Sequence, residues 1–190
     1  MKIFFAVLIV TVLALFASSY NSIVVSEEVV AESWADVESN MQRKVDLLPN
    51  LVKLVKSYVK HESELFTTIT KLRASSGMEK SSDELPSEEK IHELSQLNKS
   101  INNSTLKLFA VAENYPNLKS SEQFLTLQSQ IEGTENRINI TRMNFNGAVK
   151  EFNANIRTFP SNIVASMMGF SKLEYFKAEP IVQQKLELDL

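Results

Sequence analysis

Two groupings of side chains in this sequence have the residue types for chemistry. The first is a carboxylate next to a histidine, in Glu89-Lys-Ile-His92. In helical bundles two such Glu-x-x-His pairs, with one further glutamate from each of two other helices, hold a pair of metal ions. The chain has only one other histidine, His61, and Tyr58 stands where its glutamate partner is needed. The second pair is therefore missing, and both histidines read as surface or flanking residues. Without cysteine there are no thiolate ligands, thiol nucleophiles or disulfides. A Gly-rich phosphate loop, G-x-S-x-G, H-E-x-x-H and an EF-hand loop are all absent from the sequence. No catalytic residue, cofactor or metal site is assigned, and an enzyme is not expected.

The second grouping is a polar seam. Between Ser121 and Pro160, Phe124, Leu127, Ile131, Ile138, Phe145, Val149, Phe152, Ile156 and Phe159 recur at spacings of three, four and seven. That is the period of a helix with one apolar face. At 100° per residue Glu135, Asn139, Arg142, Asn146, Asn153 and Arg157 fall along an edge of that face, with Glu135 and Arg142 encroaching on it. Glu62 interrupts the stripe of another helix in the same way. A buried charge must be paired, since leaving it unpaired costs several kcal/mol. The expectation is one buried or half-buried network with Glu62 beside Arg142, and with Arg43 and Glu135 as the next candidates. Three readings of the seam stay open: a polar layer that sets helix register, a ligand or partner site lined by amides, and a merely solvated edge.

These residues need long helices to position them. With four Gly and five Pro in 190 residues, and periodicity near 3.6, the chain is all-α. Ile23, Val30, Trp34, Val37, Met41, Val45 and Leu48 make the first apolar stripe, after which Asp46-Leu-Leu-Pro-Asn50 reads as a break and restart. Leu51, Val55, Tyr58, Leu65, Ile69 and Leu72 make the second stripe. Ser75–Ser87 is the polar loop that follows. A third helix runs from about Ser87 to Asn114 with Ile91, Leu94, Ile101, Leu108 and Val111 inward, and carries Asn98, Asn102, Ser104 and Thr105 in its middle. Tyr115-Pro116-Asn117-Leu118 turns the chain into the fourth, which at 1.5 Å per residue is roughly 60 Å long. Short connections imply an antiparallel up-down-up-down four-helix bundle.

Ahead of the bundle, Ile3–Ser19 carries no charge, and the first acid is Glu27. This segment reads as a transmembrane anchor over residues 1–22, in contact with a phospholipid bilayer through residues 3–20 and with Tyr20 at the interface. A cleaved signal peptide ending near Ala17-Ser18-Ser19 is the alternative. The bundle then occupies 23–170 and a C-terminal tail 171–190. Phe159, Ile163, Val164, Met167, Met168, Phe170, Tyr175 and Phe176 follow the long helix, and they either cap the membrane-proximal end of the bundle or lie at the bilayer surface. Lys2 precedes the anchor and no Lys or Arg follows it until Arg43, which favours a bundle outside the cytoplasm. A net charge of −3 argues against nucleic acid as a main partner.

At these residues the chain resembles the LemA family of membrane-anchored proteins. The resemblance rests on Tyr20-Asn21, Trp34, Arg43-Lys-Val-Asp-Leu-Leu-Pro-Asn-Leu-Val52, Tyr58, His61-Glu62 and Ala112-Glu-Asn-Tyr-Pro-Asn-Leu-Lys119. It continues through Gly133-Thr-Glu-Asn-Arg-Ile138, Arg142, Asn146, Asn153, Thr158-Phe-Pro-Ser161, Gly169-Phe170 and Tyr175-Phe176, and is weak over 75–105. The resemblance implies one N-terminal membrane helix, a helical bundle and no enzyme activity. The function expected is a protein-interaction or scaffold module at the cell membrane with a protein partner. The alternative is a lipid- or small-ligand-binding bundle that uses the polar seam.

Overall fold

The apolar stripes sit on three long helices. The computed structural model describes residues 1–59, 66–71 and 85–177, and the regular structure of these residues is entirely helical. Helix α1 spans Lys2–Tyr58, α2 Glu88–Ala112, α3 Pro116–Lys119, α4 Glu122–Asn155 and α5 Ser161–Met168. A further helical stretch covers 66–71.

Local signals set the helix starts. The Ser87 hydroxyl accepts from the Lys90 N–H at 3.2 Å, and the Ser121 hydroxyl accepts from the Phe124 N–H at 3.3 Å. Both serines thus satisfy donors that the first turn of a helix leaves without partners. Pro116 opens the single turn α3, where its missing N–H removes no intrahelical bond. Helix α4 ends at Asn155, five residues before Pro160. Helix α5 ends on Gly169, whose φ of 83° is the left-handed conformation that favours glycine.

The break expected at Asp46–Asn50 does not occur. Helix α1 runs through Pro49 without interruption for 57 residues, so the first two expected stripes join on one rod as far as Tyr58. Asp46 caps nothing there, and instead accepts a hydrogen bond from Gln42 Nε2 one turn earlier, at 2.9 Å. Proline inside a helix costs about 3 kcal/mol through a lost hydrogen bond and a clash with the preceding turn. Leu48, Leu51, Val52 and Val55 are all buried on the continuing face. At about 1.5–3 kcal/mol per buried aliphatic side chain, their burial outweighs the proline. Helix α1 stops after Tyr58, where Val59 turns to extended backbone. Of the rest of the second stripe, Ile69 is buried in the 66–71 stretch, and Leu65, Leu72 and most of the Ser75–Ser87 loop lie outside the described residues.

Contacts fix the directions. Lys44 meets Glu135, and Ser22 and Ser26 meet Asn155, so α1 and α4 are antiparallel. Glu38 meets Lys90 while Lys44 meets Asn98, so α1 and α2 run parallel. Because α2 begins level with Glu38, the part of α1 between Phe16 and Glu38 packs against α4, α5 and the segment 171–177. Residues such as Phe4, Val7, Val10, Leu13 and Leu15 are exposed, on a helix long and apolar enough to cross a membrane.

Candidate functional site

Of the seam residues, Glu135 joins a buried charge network, Arg142, Asn146 and Asn153 meet an anchored strap, and Asn139 and Arg157 are exposed. The network centres on Lys44, whose side chain has no exposure to solvent. It stands four residues before Leu48 and three after Met41, so helical geometry carries it onto the core face of α1. Its ammonium donates to Asn98 Oδ1 at 2.8 Å, to Asn102 Oδ1 and to Glu135 Oε2. Three donors meet three acceptors, so the buried cation is fully satisfied. Asn102 Nδ2 also donates to Glu135 Oε1 at 3.2 Å, closing a ring across α1, α2 and α4. Burial pulls the Lys44 ammonium below the ordinary lysine range, against the opposing pull of Glu135. Burial pushes the Glu135 carboxyl up, but the ammonium and the amides of Asn102 and Asn98 outweigh it and hold it below the ordinary glutamate range.

Beside this ring is an open cleft of about 520 Å³ whose walls include Asn98, Asn102, Glu135, Asn139, Arg142 and Asn146. Arg142 does not enter the ring. Its guanidinium carbon lies 4.7 Å from the centre of the Phe176 ring, in a cation–π contact. Glu62, its expected partner, lies outside the described residues, as does His61. Glu89 and His92 are exposed near the start of α2.

The strap is the segment 171–177, which lies along α4. Asn146 donates from Nδ2 to the Phe176 carbonyl at 3.1 Å and accepts the Phe176 N–H on Oδ1 at 2.9 Å. Asn153 makes the same pair of bonds with Leu173, both at 2.9 Å. Seven residues of helix rise roughly 10 Å, and three extended residues also span roughly 10 Å. Two amides two turns apart therefore match residues 173 and 176 in register. The strap delivers Phe176 into the core, with its ring stacked on Trp34 at 5.8 Å and edge-on to Phe145 at 5.4 Å. In the apolar C-terminal region Val164 and Phe176 are buried in the domain, whereas Phe159, Ile163, Met167 and Met168 are exposed.

The model of the LemA family matches residues 33–189, which includes the Lys44 ring and the strap. The chain belongs to the LemA family. It is similar to magnetosome protein MamQ 2 of Paramagnetospirillum magneticum, at 25% identity over an alignment covering 90% of this chain and 70% of that protein. It is also similar to magnetosome protein MamQ of Magnetospirillum gryphiswaldense, at 25% identity over 85% of this chain and 65% of that protein. Protein LemA of Metamycoplasma hominis is 32% identical over 77 residues, 40% of this chain and 34% of its own. Together with the exposed apolar segment of α1, this makes the chain a membrane-associated helical protein of the LemA family.

Glu135 belongs to the network, but its cation is Lys44; the neighbouring Arg43 is exposed. The signal was present: Val37, Met41, Lys44, Leu48 and Leu51 continue one stripe at spacings of four, three, four and three. Asn98 likewise fills a stripe position between Leu94 and Ile101. The backbone partners of Asn146 and Asn153 had no signal in the sequence.

Proposed function

We propose that this LemA-family chain is a membrane-anchored interaction module that binds the helix of another membrane protein where α1 leaves the bilayer. One observation carries the reading. An open groove of about 560 Å³ runs between α1 and α4, lined by Ser18, Ser22, Val25 and Val29 of α1 and by Ala148 and Glu151 of α4. Helix α2 begins too far along α1 to cover it. Small side chains at Ser18, Ser22 and Ser26, four residues apart, let a second helix approach closely, as at helix contacts in membranes. The amides of Asn146 and Asn153 are occupied by the strap and the Lys44 ring is internally satisfied, so much of the seam is used within the fold. That supports the register-setting reading of the seam over a ligand groove along Asn146–Asn153. The flanking charge supports placing the bundle outside the cytoplasm.

The test is affinity purification of the full chain from mild detergent, alongside a Val25→Arg variant. Val25 is 64% exposed, so the change leaves the fold intact while placing a charge in the groove. A stoichiometric membrane protein that co-purifies with the native chain and is lost with V25R is the expected result. A partner retained by V25R, or no protein partner at all, overturns the reading.

The cleft beside Glu135, Asn139 and Arg142 supports a second reading, in which a small polar ligand binds there. Lipid or a small molecule retained in place of protein, and released by Arg142→Ala, would favour it.

A further inference from the structure

The chain from Thr158 to Ser171 holds fourteen residues without a charge, bounded by Arg157 and Lys172. Its position on α1 is fixed from both sides. Before it, Asn155 Nδ2 donates to the Ser22 and Ser26 hydroxyls at 3.0 and 3.2 Å. After it, the Phe170 ring lies 6.3 Å from that of Tyr20. Between these anchors α5 packs on α1, and at the same height Ser19 and Ile23 of α1 are buried and Phe16 is half-buried. The segment therefore sits where the uncharged span of α1 ends.

Helix α5 has two faces. Ser161, Val164 and Ala165 are buried in the domain. Ile163 and Met167, four residues apart, point the other way, and with Phe159 and Met168 they are exposed at 52%, 70%, 81% and 51%. Nothing among the described residues covers this second face. Arg157 and Lys172 are exposed and form no ion pair among the described residues. Basic side chains that flank an apolar helix face reach lipid phosphates while the face enters the acyl region.

We infer that α5 and the preceding Phe159 form a second membrane contact, lying in the interface of the same leaflet through which α1 exits. Ile163, Met167 and Phe159 enter the outer acyl region, and Arg157 and Lys172 meet headgroup phosphates. The occupant is lipid, because the patch continues the exposed apolar surface of the α1 span at the height of Tyr20. This inference rests on insertion of residues 3–19 in the bilayer, and does not require the protein partner proposed above.

The native chain lacks cysteine, so single labelling sites are clean. Full-length Met167→Cys, Val12→Cys and Leu125→Cys variants carry an environment-sensitive fluorophore in phosphatidylcholine–phosphatidylglycerol vesicles. Lipids spin-labelled at a shallow or a deep acyl carbon act as quenchers. Leu125 is 53% exposed at the start of α4, the end far from Ser22, and serves as the aqueous control. The expected result is quenching of the Met167 label several-fold above the Leu125 label, strongest with the shallow quencher, with the Val12 label also quenched. Quenching at Val12 with none at Met167 overturns the interfacial contact while leaving the anchor standing. No quenching at either site overturns both. A Met167 label shielded from water but untouched by lipid quenchers shows that protein covers the face, and likewise overturns the inference.

Discussion

The side chain of Asn153 pairs with the backbone of Leu173 as a neighbouring strand would, donating to its carbonyl and accepting from its N–H at 2.9 Å each. Asn146 repeats the arrangement two turns earlier on α4 with Phe176. A segment without regular secondary structure is thereby held along a helix. Removing a side chain that satisfies half-buried backbone groups costs about 1–3 kcal/mol. The Asn146→Ala/Asn153→Ala double variant should lose at least that much stability in denaturant titrations of the full chain in detergent. Stability equal to that of the native chain would show that the strap is held by its apolar contacts alone.

Phe176 is the apolar half of the same device. It is 6% exposed, and stacks on Trp34, the only tryptophan in the chain. Truncating a buried phenylalanine to alanine costs about 3–5 kcal/mol. Phe176→Ala should therefore destabilise the domain by that order and shift tryptophan emission to longer wavelength as water reaches Trp34. An unshifted spectrum would remove Phe176 from the core.

The Lys44–Glu135 pair predicts both a mutational asymmetry and a pH dependence. Removing one partner of a buried pair costs about 3–5 kcal/mol, whereas replacing both with apolar residues of similar volume is often close to neutral. Lys44→Met alone should be strongly destabilising, and Lys44→Met/Glu135→Leu less so. Glu135 has a folded pKa below its unfolded value. Its stabilisation is therefore complete above the ordinary glutamate range and is lost as pH falls through the lower folded value. Denaturant titrations between neutral and acidic pH should show this loss in the native chain, with a shallower slope in Glu135→Gln. Identical slopes would exclude Glu135 as a source of the acid sensitivity.

Pro49 tests the single rod. If α1 is continuous, Pro49→Ala restores a donor for the Val45 carbonyl and removes a clash, which should stabilise the chain by up to about 3 kcal/mol. A helix that restarted at Asp46 would gain nothing, because proline is well placed in a first turn. An unchanged or lowered melting temperature would favour that break.

Gly133 and Gly147 are positions where helix propensity alone decides the effect of a side chain. Both are exposed on α4, and a Cβ at either would meet nothing within 4 Å. Replacing glycine by alanine inside a helix gains about 1 kcal/mol where nothing obstructs it. The double alanine variant should therefore melt higher than the native chain. A lower melting temperature would mean that one of these positions packs within the fold.

What the sequence by itself determined follows from interactions between near neighbours in the chain. The all-α class, the inward face of each long helix, the serine caps at Ser87 and Ser121 and the turn at Tyr115-Pro116 depend on residues no more than a few positions apart. The uncharged N-terminal segment is legible for the same reason. Only the tertiary structure decided the rest, because it turns on what packs against each residue. Pro49 stays within a helix because the faces before and after it are buried together, which a local rule does not count. Lys44, not Arg43, is the buried cation because Asn98, Asn102 and Glu135, 54 to 91 residues away, converge on its ammonium. Asn146 and Asn153 became backbone clamps only once a segment 20 to 30 residues further on was laid beside them. An amide beside an apolar face can turn to solvent, a ligand or another stretch of chain with similar local energetics. The choice among these belongs to the assembled fold.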